Sequence, residues 1–310
     1  MHIRTNKYLN IIFRPVLNFC IWLGTYHPIL LVKIRYFARF HKFLDLKNPK
    51  DLNEKILFLS LRTDTTLWTK LADKYRVREY IHELGLDEIL VKLYGVYDRA
   101  EDIDFSKLPD SFVLKTTQGS GDIRIIKDKS QLNQVDIVVA LRNDLNTVYG
   151  ALEGGHHYMR IQRRIIAEEL IHNDEISSKY SASIIDYKIW CFNGKSHYIW
   201  ACCNRDKHGT DVMTYDTNWN EHPEYSIFYD HYRRGEIIPK PANLQKMLHI
   251  AEILSKPFPV VRVDLYDIGG KVYFGEMTFT SLGALMDFYT PEFLKSCGEK
   301  IDLSGVKTIR

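Results

Sequence analysis

The feature that most constrains this chain lies near its C-terminus. There VVRVDLYDI (260–268) and KVYFGEMTF (271–279) follow one another with only Gly269-Gly270 between them. Apolar and polar side chains alternate along both runs, the period of strands with one buried face. A glycine pair between two such runs predicts an antiparallel hairpin. With a three-residue loop of Gly269, Gly270 and Lys271, and Ile268 opposite Val272, paired positions sum to a constant and Asp264 falls opposite Glu276. Alternation then sets Arg262, Asp264, Tyr266, Phe274, Glu276 and Thr278 on one face, and Val261, Val263, Leu265, Tyr273 and Met277 on the other. An apolar rear face implies a packed sheet, so the charges lie in or beside a cleft and need partners. Two carboxylates and an arginine on one face can hold Mg²⁺ and leave positions open for phosphate oxygens. A purely structural Arg–Asp pair is the alternative.

The 310 residues, 45% hydrophobic and 26% charged, suffice for one large or two modest domains. A formal charge of +3 gives no support to nucleic-acid binding through bulk electrostatics, so any anion must be held locally. Cys20, Cys191, Cys202, Cys203 and Cys297 form no CxxC pair, which argues against a disulfide framework or a zinc site and for reduced thiols in a cytoplasmic protein. Residues 1–47 stand apart as an aromatic, basic segment with no acid before Asp45. Polar and proline breaks keep it short of the ~20 apolar residues of a spanning helix, and it does not read as a signal peptide. Two placements are open: helices packed on the body, or a basic-aromatic face, residues 3–43, lying on the inner face of a membrane.

Residues 48–105 read as a helical lead-in, opening at Asn48-Pro49 and stopping at Gly85, with an extended piece, ILVKLYGVYD, behind it. Residues 106–171 contain a strand–loop–strand unit, SFVLKTTQGSGDIRIIKD, a helix near 133–145 and a strand in RRIIAEELI. Residues 172–310 are richer in strands. They include a hairpin at Asn193-Gly194, a helix in PANLQKMLHIAEILSK and the acidic hairpin.

In the first of these units a strand bearing Lys115 turns through Gly119-Ser120-Gly121 into a second strand. It lacks the GxxxxGK[ST] of a P-loop and the GxGxxG of a dinucleotide fold. Glycines let backbone N–H groups approach a polyphosphate, and Lys115 adds a point charge. A plain turn with a surface lysine is the other reading.

The order of these elements resembles the ATP-grasp superfamily. The phrases ADKYRVREYI, GVYD, DFSKLPDSFVLKTTQGSG, RIIAEELI, DYKIWCFNGK and PFPVVRVDLYDIGGKVYFGEMTFT, over about 48–303, resemble its TupA-like family more closely. The resemblance implies an α+β ATP-grasp fold, two α+β lobes clamping ATP, behind an N-terminal helical region. It implies a small nucleotide-binding lobe at 106–171 and a larger lobe at 172–310. Lys74 and Lys115 would contact ATP phosphates, and Gly119, Ser120 and Gly121 would form the flap. Glu168, Glu169, Leu170 and Ile171 would be the hinge reading adenine. Asp186 would reach the ribose and Lys188 the phosphates. Asp264 and Glu276 would ligate Mg²⁺, with Arg262 steadying the transferred group. Where many relatives carry Glu-x-Asn, this chain has Glu276-Met277-Thr278, which puts a second metal ion in doubt.

The family is associated with teichuronopeptide and other cell-surface polysaccharide biosynthesis. The implied activity is therefore ATP-dependent carboxylate–amine ligation through an acyl phosphate. The implied partners are ATP, a uronic-acid-containing glycan or other carboxylate, and an amino acid or amine. Two rivals are a sugar or polysaccharide kinase on the same scaffold and a non-catalytic ATP-binding subunit of a glycan-assembly complex. Among residues read singly, Lys74 and Asp186 also fit solvated surface positions. Glu168 and Glu169, adjacent on a strand, face opposite ways, so at most one lines a cleft. Glu153, His156 and His157 fit either a metal cluster or a mobile loop. Arg205, just after a strand, could bind an acidic acceptor or be a solvent-exposed charge.

Overall fold

The computed structural model describes residues 7–309, with side chains from Arg14 onward; residues 3–6 of the basic-aromatic segment lie outside the described residues. Helix α1 (Lys7–Tyr26) meets α2 (Pro28–Phe40) at His27, with Pro28 at the first helical position, where its missing N–H has no intrahelical use. Leu23, Leu31, Val32 and Tyr36 bury one side of this pair. Helix α3 (Leu52–Arg62) is capped by Asp51, which accepts the Glu54 N–H at 2.9 Å, while Glu54 reaches back to accept the N–H of Lys50, one residue before the cap, at 2.8 Å. Helices α4 (Thr66–Ala72) and α5 (Val77–Glu83) follow.

A four-stranded antiparallel sheet has the order β1-β4-β2-β3. Its strands are β1 (Leu93–Tyr97), β2 (Phe112–Thr116), β3 (Arg124–Ile126) and, after α6 (Gln134–Asn146) and α7 (His156–Met159), β4 (Ile165–Glu168). Asn133 caps α6 by accepting the N–H groups of Val135 and Asp136. Phe112, Leu114, Ile126, Ile165 and Ala167 pack with Leu141 of α6 into a core of their own. Alternation along β2 sends Lys115 to the opposite face. Strand β1 lies in the extended piece ILVKLYGVYD, as expected, so residues 48–105 contribute a strand to this sheet as well as helices.

The second sheet comprises β5 (Asp186–Phe192), β6 (Lys195–Cys203), β7 (Thr210–Asp216), β8 (Tyr232–Arg234), β9 (Val260–Ile268) and β10 (Lys271–Thr278), in the order β10-β9-β5-β6-β7-β8. Only β7 and β8 run parallel among these pairs. Helix α8 (Leu244–Ser255) packs Met247, Ala251 and Leu254 into the large core beside Val261, Val263 and Ile189 of the sheet, and α9 (Pro291–Glu299) follows.

Two hairpins of this sheet, β5–β6 and β9–β10, turn in two residues and then slip. Asn193 and Gly194 have φ 49° and 75°, and Gly269 and Gly270 have φ 59° and 77°, as a I′ turn requires. The acidic hairpin therefore pairs Ile268 with Lys271, and the expected three-residue loop is wrong. Glu276 still lies opposite Asp264, because a bulge at Gly275 inserts the residue the loop lacks. Before the bulge the faces are exchanged relative to expectation. Phe274 pairs with Leu265 and is buried in the core, whereas Tyr273 pairs with Tyr266 on the Asp264 face.

Candidate active site

The floor of the site is a row of directly opposed residues on one face of the large sheet. Glu276 faces Asp264, Asp264 faces Lys188, and Lys188 faces Trp200. Lys188 Nζ lies 2.5 Å from a carboxylate oxygen of both Asp186 and Asp264. Arg262 grips Asp264 with two 2.7 Å hydrogen bonds. It also donates to Ser281 Oγ at 2.7 Å, Thr278 Oγ1 at 3.1 Å and Glu276 Oε1 at 3.3 Å. Burial disfavours every one of these charges, so their states follow from how well each is paired. Burial alone would raise the Asp264 carboxyl, but Arg262 and Lys188 outweigh it and hold that carboxyl down at about 2. Burial likewise lowers Lys188, but Asp186 and Asp264 reverse the shift and keep it an ammonium. Asp186 shifts the other way: burial exceeds the pull of Lys188 and raises its carboxyl. One Asp186 oxygen, Oδ1, is buried without a hydrogen-bond partner.

The facing wall comes from the α4–α5 connection and the glycine loop. Asp73 accepts the N–H groups of Tyr75 and Arg76, at 2.8 and 3.1 Å, and so shapes the turn that presents Lys74. The Lys74 backbone donates to the Thr117 carbonyl at 3.2 Å and its ammonium to the Gly119 carbonyl, which ties it to the loop. Burial lowers the Lys74 ammonium; Glu276 and Asp122 oppose that shift and Lys115 adds to it. Lys74 thus lies within electrostatic reach of both Glu276 and Lys115.

Between the walls is a cavity of about 340 Å³ lined by Lys74, Gly119, Ser120, Lys188, Arg262 and Glu276. Lys115 is not on its surface. With Arg78, Glu168 and Gly275 it lines an adjoining crevice that also reaches Lys74, and its ammonium pairs with Glu168 at 2.6 Å. Arg78 holds the same carboxylate at 3.2 Å. Of the two adjacent acids, Glu168 is buried and Glu169 exposed. Glu169, Leu170 and Ile171 leave β4 without touching cavity or crevice, and Gly121 lies just off the cavity wall.

Several cavity residues had no signal in the sequence. Trp200 is 3% exposed, lines the cavity and carries an indole N–H with no partner among the described residues. A two-residue turn at Asn193-Gly194 alone would set Ile199 opposite Lys188. A slip beyond Cys191 and Ser196 brings Trp200 there instead. Arg35 arrives from α2, and Tyr149 and Tyr158 from the segment after α6. Arg205 lines the far end and lies 3.5 Å from Asp186. His156 and His157 lie in the short helix α7, and among the described residues they belong to no cluster able to hold a metal. His156 bonds the Gly24 carbonyl at 3.1 Å, and His157 is buried among Trp68, Tyr158 and Phe279.

The fit to Mg²⁺ differs between the two acids. Among the described residues only Oε1 of Glu276 is engaged, its side chain is 45% exposed, and Thr278 Oγ1 lies 3.1 Å from it. A hard cation that keeps most of its ligands as water and phosphate needs little more from the protein. Asp264, 1% exposed, has both oxygens taken by Arg262 and Lys188. It becomes a ligand only if one of those cations is drawn off. No group of three His, Cys, Asp or Glu able to hold a metal occurs among the described residues.

A model of the TupA-like ATPgrasp family matches residues 54–302. No curated protein matches the sequence. Among solved structures, the chain is similar to D-alanine–D-alanine ligase from Bacillus anthracis, with 17% identity and a TM-score of 0.44 over 70% of this chain. It spans 60% of that ligase's length. The same ligase complexed with ATP gives 15% and 0.43, over 81% and 76% of the two chains. The ATP-grasp ligase PsnB complexed with minimal precursor gives 9% and 0.36, over 68% and 52%. Likenesses this weak carry no residue-level argument.

Proposed function

The chain belongs to the TupA-like ATP-grasp family, and from that premise we propose that it is an ATP-dependent carboxylate–amine ligase of cell-surface polysaccharide biosynthesis, of the capsule or teichuronopeptide kind. The observation that carries this reading is the arrangement of the cavity walls. Lys74, tied to the glycine loop, confronts Glu276 and Arg262 across a space of about 340 Å³, a volume suited to a small-molecule ligand.

In the proposed reaction an oxygen of the substrate carboxylate attacks the γ-phosphorus of ATP. The bond to the bridging oxygen breaks, ADP departs and an acyl phosphate remains. The amine nitrogen then attacks the acyl carbon, the carbon–oxygen bond to phosphate breaks, and the amide forms as nitrogen gives up its proton. No protein nucleophile is needed, so the protein contributes position and charge. Lys74 and the amides of Gly119 and Ser120 hold phosphate oxygens, with Gly121 completing the flap. Lys115 takes a phosphate by exchanging its contact with Glu168. The backbone from Glu168 through Ile171 would read adenine beside the crevice, which only Glu168 of the four lines, and Asp186, whose unpartnered Oδ1 is buried off the cavity wall, would reach a ribose hydroxyl once Lys188 or Arg205 shifts. Arg262, backed by Asp264, meets the charge of the phosphoryl group in transfer, with Lys188 beside it. Mg²⁺, when bound, would neutralise β- and γ-phosphate oxygens; Glu276 would hold it, joined by Asp264 once Lys188 or Arg262 turns to the phosphates.

The two lobes of this reading are 106–171 and 172–310, behind 1–47 and 48–105. The proposed setting is cytoplasmic, with peripheral membrane contact through residues 3–43. The test is ADP release with amino acids and uronic-acid glycans supplied singly and in pairs. Release that requires both partners, with an amide in the product mass, is expected. A stable phosphorylated sugar formed without amine would replace this reading with a kinase.

A further inference from the structure

Helices α1 and α2 have two unlike sides. On the inner side Leu23, Leu31, Val32 and Tyr36 are buried, and Arg35 donates to the Leu152 carbonyl while forming part of the cavity wall. On the outer side Phe19, Trp22 and Tyr26 of α1 and Leu30, Ile34 and Phe37 of α2 are between 45% and 67% exposed. Their spacings of three and four residues make one apolar stripe on each helix. Phe19 stacks on Trp22 at 5.8 Å, and Phe37 on the exposed Phe43 at 5.1 Å, so each helix carries a ring cluster of its own. An apolar aromatic patch of this extent is disfavoured in water and marks a surface that something covers.

Charge identifies the cover. Seven of the 42 Lys and Arg, and none of the 39 Asp and Glu, precede Asp45, which leaves the rest of the chain net acidic. Arg14 and Lys33 are exposed beside the stripe, with no acidic partner among the described residues. A second copy docked on this face would set one basic segment against another, whereas anionic headgroups complement it and the aromatic rings suit the interfacial layer. No described helix is long and apolar enough to cross a membrane, so the pair would lie flat.

We infer that the outer face of α1 and α2 docks this protein on an anionic lipid bilayer. The cavity wall at Arg35 is then held about one helix diameter, roughly 10 Å, from the headgroups. An acceptor carried on a membrane lipid is thereby within reach, which is the substrate class this placement selects. That last step rests on the ligase reading, while the docking itself does not.

The test uses the full chain and sedimentation with phosphatidylcholine vesicles, with and without phosphatidylglycerol. Binding only to the anionic vesicles, weakened by salt, is expected. Combined Trp22→Ser and Lys33→Glu substitution should weaken it on the order of tenfold or more, with melting and ATP-analogue binding unchanged. Equal binding to both vesicle types, no binding, or binding unaffected by the double substitution overturns the inference. So does a concentration-dependent dimer that the double substitution disperses in the absence of vesicle binding, since the face then belongs to a second copy. Vesicle binding is read without turnover, so failure of ligase activity would leave it standing.

Discussion

Asp264 and Glu276 lie opposite each other, yet the environment gives them different tasks. Glu276 is half in solvent with one oxygen to spare, whereas Asp264 is the buried counter-charge of Arg262 and Lys188. Glu276→Gln should therefore abolish nucleotide turnover at unchanged thermal stability. Asp264→Asn should abolish turnover and also cost about 3 kcal/mol, because it leaves two buried cations under-neutralised. Denaturant midpoints beside ADP release would check both. Equal stability of the two variants would mean that the buried charges relax into water. The facing of these acids was readable from a glycine pair and an alternation. The ion pairing that separates them was not, because it depends on Lys188, a partner 76 residues away on β5.

At the scale of elements, Gly275 decides which side of β10 reaches the cavity. A Cβ there would stand 3.0 Å from the Asp264 carbonyl oxygen and 3.2 Å from the Tyr266 ring, closer than the bulge can take without shifting. Gly275→Val should cost about 1–3 kcal/mol and reduce turnover more than a surface change of equal cost. Activity measured well below the melting point separates the two effects. The bulge also shows why the sequence reading was partly right by compensation. One residue too many in the loop offset one too few in the strand, so Asp264 and Glu276 were matched while Phe274 and Tyr273 were exchanged. Turn dipeptides are local signals, and Asn193-Gly194 and the strand–glycine-loop–strand unit were found that way. Bulges answer to packing across the sheet, so Trp200 was not foreseen.

At the scale of the molecule, acid should loosen the fold through His157. Burial, with Arg160 and His156 nearby, lowers its imidazole to about 3 from an ordinary 6.5. It is neutral when folded and takes up a proton when unfolded, so its contribution is complete above about pH 6.5 and is lost progressively as pH falls toward 3. Between pH 7 and pH 5 that loss is about 2 kcal/mol. His157→Phe, which keeps a flat ring among Trp68, Tyr158 and Phe279, should flatten the acid limb of stability against pH. Denaturant melts of both proteins at the two pH values measure this, and parallel curves would exclude His157 as the source. The family and the order of elements were readable along the chain because they recur as phrases. The packing of α2 against the segment after α6, which brings Arg35 to the cavity, has no such phrase.

The opposed row from Glu276 through Asp264 and Lys188 to Trp200 also works as a ruler. Four neighbouring strands are three inter-strand steps, or roughly 14 Å, and hydrogen-bonded strands cannot shorten that span. Whatever meets both the carboxylate at one end and the unpaired indole N–H at the other must be an elongated molecule or two molecules placed end to end. A lone small amine would leave one end empty.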